Sequence, residues 1–254
     1  MNGIDVSYHQ GVIDWKKVKN AGIKFAIIRA GYGKSTMDKK FVENICGADT
    51  AGLGIGIYWF IYAANVLDAV ANADKCAEVL DKYKSIIKHK VWADWEYDSD
   101  KWNPQTKDGR TAIVKAFCER LSAKDYDVGV YANPDYINSK FDMKQLSQYP
   151  LWLARYSAEK GNYNPYMWQH SSTGKVAGIT GNVDLNIMYG APAPEYYPAY
   201  TETLNGALNQ LGITSTYEFR KKIAAANKIS NYTGTAEQNI KMLSLLKEGK
   251  LIKP

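Results

Sequence analysis

Asp94 and Glu96 are separated only by Trp95 in VWADWEYDSD (91–100), where an apolar, strand-like run gives way to four acids. Side chains at i and i+2 of a strand point to the same side, with Cα atoms about 6.5–7 Å apart. Carboxyls that converge repel one another as anions, so one tends to keep its proton. A protonated Glu beside an ionised Asp suits glycoside hydrolysis, which needs an acid for the leaving oxygen and an anion facing an oxocarbenium-like centre. Asp5, near the end of the first apolar run, and Asp184, in the last, hold comparable positions. Four acids from three strands would then meet at one mouth. Tyr58, Tyr62, Tyr131, Trp152 and Tyr156 lie near strand ends and are candidate stacking surfaces for sugar rings. Arg29 follows a buried strand and either orients an acid or neutralises one.

Plainer readings compete with these. A D-x-E pair also serves salt bridges or a solvated strand end. Asp94, Glu96 and Asp5 together carry the oxygen donors that Mg²⁺ or Mn²⁺ prefers, so a divalent-metal hydrolase is an alternative. Asp98 and Asp100 read as the start of a solvated loop, Asp14 as a helix N-cap, and Trp15 and Trp168 as packing.

The elements that must position the acids alternate. Strands are predicted at 3–7, 24–32, 54–63, 89–96, 127–133, 151–156, 166–170 and near 182–186, and helices at 15–21, 38–51, 66–84 and 109–124. Strands alternating with helices call for a parallel sheet. Five βα units followed by strands with little helix between them suggest an irregular TIM-like (β/α)5(β)3 barrel, in which catalytic side chains gather at the C-terminal ends of the strands. The rival is an open doubly wound sheet, but no GxGxxG follows the first strand. GAPAPEYYPAY (190–200) has three prolines and no periodicity, so 191–200 reads as a linker. Three helical stretches follow at about 201–211, 215–226 and 235–248. Thr214 or Ser215, with Glu218, is placed to cap the second, and Thr235 with Gln238 the third. The expected division is a barrel over 1–190 and a small all-α module over 201–254.

Hydrophobic residues make up 46% of the 254, enough for a sizeable core. Cys46, Cys76 and Cys118 are odd in number and lack metal spacing, which disfavours a disulfide framework. His9, His89 and His170 are scattered singly, so a His-rich metal site is not expected, and no cofactor is called for. No signal peptide or membrane span is visible; an enzyme of this kind would be made in the cytoplasm and released by another factor. Of the net charge of +6, residues 201–254 hold +4 and residues 1–200 hold +2. A basic surface attracts nucleic acid, anionic membrane and anionic wall polymer alike. Charge is the only feature favouring nucleic acid, and neither nucleic acid nor membrane is expected as a partner.

GIDVSYHQGVIDW (3–15), FAIIRAGYG (25–33), GIGIYWFIYA (54–63), VWADWE (91–96), VYAN (130–133), LWLARY (151–156) and WQHSSTGKVAGITGNVDLN (168–186) occur in the order found in glycoside hydrolase family 25, the Chalaropsis-type lysozymes, many of them phage endolysins. The chain resembles that family from about residue 3 to 190. The resemblance implies a barrel of eight strands and five helices, and cleavage of the β-1,4 bond between N-acetylmuramic acid and N-acetylglucosamine in peptidoglycan. It places the family's acid/base glutamate on Glu96, its paired aspartate on Asp94 and two further active-site aspartates on Asp5 and Asp184. The strand-three aromatic falls near Tyr58 to Tyr62, but Trp59 stands where many relatives carry His.

The tail resembles helical modules of lysins from phages of Clostridium-like hosts, which implies a wall anchor and release through holin-type lysis. A non-catalytic peptidoglycan-binding lectin is the alternative function. Oligomerisation through the module is left open.

Overall fold

The computed structural model describes residues 1–190, 197 and 203–254. The chain divides into two compact units, Met1–Pro192 and Ala193–Pro254. The linker expected at 191–200 lies, apart from Tyr197, outside the described residues.

The first unit carries strands β1 (Asn2–Val6), β2 (Phe25–Tyr32), β3 (Thr36–Met37), β4 (Gly54–Phe60), β5 (Ile87–Asp94), β6 (Val128–Ala132), β7 (Leu151–Ala154), β8 (Met167–Gly174) and β9 (Val183–Met188). Its helices are α1 (Trp15–Asn20), α2 (Phe41–Thr50), α3 (Val66–Leu80), α4 (Tyr97–Trp102) and α5 (Lys107–Ser122). Eight strands close in the order β1-β2-β4-β5-β6-β7-β8-β9 and back to β1, while β3 is a short antiparallel appendage of β2. All neighbours are parallel except β9, which runs antiparallel to both β8 and β1. The fold is therefore the irregular α/β barrel that alternation predicted, and the doubly wound sheet is excluded.

Period-two alternation builds two apolar layers. Phe25, Ile27, Trp92, Tyr131, Trp152, Met167 and Met188 point inward and fill the barrel. Ile4, Val6, Ala26, Ile28, Ile55, Ile57, Val91 and Ala93 point outward and pack under the helices. Glycines admit the large inner rings. A Cβ on Gly129 would sit 2.3 Å from the Trp92 ring, and one on Gly3 would sit 2.3 Å from that of Phe25. Three of the helices start where a side chain accepts an orphan backbone N–H. Asp14 caps α1 as expected, with Asn65 capping α3 and Thr106 capping α5.

Two expectations about regularity give way. Both α4 and α5 lie between β5 and β6, while β6 and β7 are joined through only a five-residue π-helical turn, Tyr136–Lys140. Asp98 and Asp100 do not open a solvated loop but lie in α4. Asp100 is held by Arg110 at 2.7 Å and by the Tyr136 hydroxyl at 2.6 Å.

The second unit contains α6 (Leu204–Gln210), α7 (Tyr217–Ala226) and α8 (Ala236–Lys247) around Leu204, Leu208, Ile223, Tyr232, Met242, Leu246 and Leu251. Thr235 and Gln238 form the expected capping box of α8. The N-cap of α7 is Thr216, not Thr214 or Ser215, and its side chain makes no capping bond. Tyr197 belongs to this core and donates its N–H to the Leu251 carbonyl at 2.8 Å.

Candidate active site

The barrel register brings the four acids to one end. Asp5 and Asp184 are direct cross-strand partners of β1 and β9. Because β9 runs antiparallel, its second residue lies beside the C-terminal part of β1. Asp94 is the last residue of β5 and pairs with Tyr131 of β6. Glu96 lies just past the strand, not within it, as the extended N-cap of α4. Its backbone N–H donates to Ser99 Oγ at 3.3 Å, fixing the turn that carries the carboxyl. Asp5 and Asp94 are buried and Glu96 and Asp184 half-buried.

The four carboxyls interact as two neighbouring pairs, Asp94 with Glu96 and Asp5 with Asp184. Burial penalises every anion here, and neighbouring acids add to it. Burial pushes Glu96 up to about 7, with Asp184 and Asp98 adding repulsion against the bond from Asp94. Asp184 is raised by burial to about 6. Asp94 is raised by burial and then by the charges of Glu96 and Asp5, while Arg29 opposes the rise. Asp5 is raised by burial and Asp184, against bonds from two amides. Near neutral pH the Asp94–Glu96 pair thus holds a proton that a solvated pair would lose. Asp94 Oδ1 is buried without a hydrogen-bond partner among the described residues.

Those amides were not singled out from the sequence. Gln169 Nε2 donates to Asp5 Oδ2 at 2.9 Å and Asn186 Nδ2 donates to the same oxygen at 2.7 Å. Each is itself oriented. The Tyr131 and Tyr156 hydroxyls donate to Gln169 Oε1 at 2.9 and 3.1 Å, and Trp152 Nε1 donates to Asn186 Oδ1 at 2.8 Å. The available signal was parity. Asn186 is two residues from Asp184 on the same face, and a buried amide in an apolar strand needs partners.

The candidate sugar-contacting residues divide. Tyr156 is 58% exposed, yet its hydroxyl reaches Gln169 and so presents a ring at the rim. Tyr58 is half-buried between Arg29 and Trp92 in the register, near Asp5 and Asp94. Tyr62 borders a hollow of about 380 Å³ with Trp102 and Asn103. Tyr131 is buried with its hydroxyl turned to Gln169. Trp152 is 2% exposed and packs edge-on against Tyr58 and Tyr131, so it offers no stacking face to a sugar; it braces Asn186 instead. Arg29 pairs with buried Asp38 at 2.7 Å and leaves Nη2 buried and unpartnered among the described residues. Trp59 faces away from the mouth into the outer layer and donates to the Gly33 carbonyl at 3.1 Å.

A closed, mostly parallel barrel whose C-terminal mouth holds two neighbouring carboxyl pairs has the makings of an acid/base hydrolase of glycosides. Residues 4–179 match the family described as Glycosyl hydrolases family 25, and the chain belongs to that family. It is 29% identical over 188 residues to the autolytic lysozyme of Clostridium acetobutylicum, covering 73% of this chain and 55% of that protein. It is 29% identical over 214 residues to lysozyme M1 of Streptomyces globisporus, covering 76% of this chain and 69% of that one. The chain therefore spans about half the length of the Clostridium relative. Among solved structures, the modular autolysin LytC of Streptococcus pneumoniae, in complex with a synthetic peptidoglycan ligand, is similar at 29% identity and a TM-score of 0.68. The match covers 74% of this chain and 46% of that one. The CTP1L endolysin is similar at 27% identity and a TM-score of 0.62, over 74% of this chain and 66% of that one.

Proposed function

We propose that this protein is an endolysin-type N-acetylmuramidase that hydrolyses the β-1,4 bond between N-acetylmuramic acid and N-acetylglucosamine in bacterial peptidoglycan. Family membership and the lysozyme relatives support the reaction class. The CTP1L likeness supports the endolysin reading, in which the protein reaches the wall after holin-type release. The observation that carries the proposal is the placement of Asp94 and Glu96 together at the C-terminal end of β5, with Asp94 buried and one of its oxygens unpartnered among the described residues, where burial favours the retention of a proton.

In this mechanism Glu96 protonates the glycosidic oxygen as the bond to C1 breaks. The carbonyl oxygen of the substrate's own 2-acetamido group attacks C1 and closes an oxazolinium ring. Asp94 Oδ1 accepts the acetamido N–H, which favours the Asp94 anion and leaves the shared proton on Glu96. Water then opens the ring while Glu96, now a carboxylate, takes the water's proton. Asp5, fixed by Gln169 and Asn186, and its cross-strand partner Asp184 line the opposite wall and keep the site's negative charge partly neutralised by protons. Tyr58, Tyr62 and Tyr156 contact the glycan. A carboxylate nucleophile at Asp94 is the second route, because retaining pairs sit about 5–5.5 Å apart.

Glu96→Gln is expected to bind purified walls and to lose 10²–10⁴-fold of the clearing rate, the usual worth of a general acid. New reducing ends should be muramic acid. Wild-type-like clearing by Glu96→Gln removes the assignment and leaves the lectin alternative. Clearing that EDTA abolishes would point to metal-assisted hydrolysis. A sugar adduct trapped on Asp94 and seen by mass spectrometry selects the covalent route.

A further inference from the structure

The family match ends at residue 179, and nothing in it assigns a ligand to the helical unit. That unit carries a pocket of about 700 Å³ between α7 and the loop that follows it. Tyr217, Lys221 and Ala225 recur every four residues and share one face of α7, with Lys228 just beyond the helix end. The opposite wall is the loop from Ile229 to Thr233. Tyr217 is 41% exposed and stacks on Tyr232 with ring centroids 5.8 Å apart and planes at 27°. No lining residue is acidic. Neither the Lys221 nor the Lys228 ammonium has a hydrogen bond or an ion pair among the described residues. By contrast, Lys250, elsewhere in the unit, is paired with Glu248 at 2.9 Å.

The loop is built to keep this shape. Lys228 and Asn231 both have backbone φ in the left-handed region, 57° and 50°, and only Asp125 shares that among the described non-glycine residues. Such conformations cost of order 1 kcal/mol or more and persist where surroundings enforce them. Asn227 does so on one side: its Nδ2 donates to the Ile252 carbonyl at 2.9 Å and its Oδ1 accepts from the Ile252 N–H at 2.9 Å. Gln238 does so on the other, accepting from the Thr233 and Gly234 N–H groups and donating to the Asn231 carbonyl at 3.0 Å. The Tyr217 hydroxyl donates to the Tyr232 carbonyl at 3.1 Å, so the stacking ring is also fixed. Two unpaired cations, an exposed ring face and a pre-shaped loop fit a sugar ring that carries an anion, with the ordering cost already met in the free protein.

We propose that this pocket binds an anionic sugar polymer of the bacterial wall, with a ring on Tyr217 and a phosphate or carboxylate between Lys221 and Lys228. The proposal rests on the muramidase reading, since it makes the helical unit an anchor that raises enzyme concentration on an insoluble substrate.

The test is co-sedimentation of the full-length chain with purified walls at physiological ionic strength. It is run in the catalytically silent Glu96→Gln background, with saturating soluble chitooligosaccharide occupying the cleft. Lys221→Gln combined with Lys228→Asn removes both charges and keeps a residue type that tolerates positive φ. Lys241→Gln with Lys247→Gln is the charge-matched control outside the pocket. The pocket pair should weaken binding at least tenfold and the control pair less than twofold. Equal losses in both pairs, or no loss in the pocket pair, would overturn the pocket. Absence of binding by the Glu96→Gln parent itself would overturn the anchor reading as a whole. Walls stripped of phosphate polymers with hydrofluoric acid distinguish the anion. Binding that falls to the level of the pocket variant identifies a phosphodiester, and binding that persists identifies carboxylates of the peptidoglycan. Cutting that depends on the cleft alone is read separately, from hydrolysis of a short soluble oligosaccharide of alternating N-acetylglucosamine and N-acetylmuramic acid, which the pocket pair in the wild-type background should leave unchanged.

Discussion

The proposed acid role of Glu96 comes at a cost in stability, and the sign of that cost can be measured. Its folded pKa of about 7 lies above the ordinary 4.5, so between those values the native state holds a proton that the unfolded chain has released. Stability therefore falls as pH rises through that window, and Asp184, raised to about 6, adds to the fall. Glu96→Gln, which cannot ionise, should gain on the order of 2 kcal/mol over wild type at pH 8 and almost nothing at pH 4. Urea unfolding at the two pH values measures it, and equal differences at both would contradict the buried-acid account. In the proposed mechanism the same proton sets activity. A general acid must be protonated, so kcat/KM on soluble oligosaccharide should decline above a pH of about 7. Asn186→Leu tests the support around Asp5. It removes one donor and leaves the Asp5 oxygen and Trp152 Nε1 each short of a partner, so about 1–3 kcal/mol of stability should be lost along with activity. The four acids could be read from type and parity in the sequence. Gln169 and Asn186 could not, because an amide in a strand declares its role only when its partners are known. Trp152 misled because a residue near a strand end can equally lie beneath the site.

Among the elements, α4 shows best how the barrel holds the Glu96 carboxyl. Glu96 is its N-cap, and Asp100, one turn on, anchors it to α5 through Arg110. The same guanidinium donates to the Gln105 and Lys140 carbonyls at 2.8 and 2.9 Å, tying the π turn to both helices. The pair is largely out of water, so removing one partner strands the other. Arg110→Ala should therefore cost about 3–5 kcal/mol and slow hydrolysis. Arg110→Met with Asp100→Leu, which removes both charges, should recover much of the stability. A single variant as stable as wild type by chemical denaturation would show that α4 is held some other way. Strand existence was legible because each barrel strand shows as a short, largely apolar run, buried on both faces, as in β1 and β6. The antiparallel course of β9 was not, since inward and outward alternation reads the same in both directions. The helix that a fifth βα unit implies after β6 is reduced to the π turn Tyr136–Lys140, ahead of which the Tyr136 N–H donates to Asn133 Oδ1 at 3.1 Å.

Charge is divided unequally between the two parts of the chain, +2 over residues 1–200 and +4 over the far shorter 201–254. The mouth of the barrel is lined by four carboxyls and gains nothing from an anionic substrate. The helical unit offers Lys221 and Lys228 unpaired around a tyrosine face. If the two parts divide cutting from holding, their responses to salt must differ. Attraction between exposed charges is screened over a length that shrinks from about 10 Å at 0.1 M to about 3 Å at 1 M. Buried carboxyls feel this little. Raising sodium chloride from 0.05 to 0.5 M should therefore lower the rate of wall clearing several-fold, and leave hydrolysis of a short soluble oligosaccharide of alternating N-acetylglucosamine and N-acetylmuramic acid within twofold. The Lys221→Gln, Lys228→Asn chain should clear walls slowly at low salt and show a flatter dependence on it. Parallel salt curves for the soluble and the insoluble substrate would mean that the surplus charge of the tail plays no part in holding the wall.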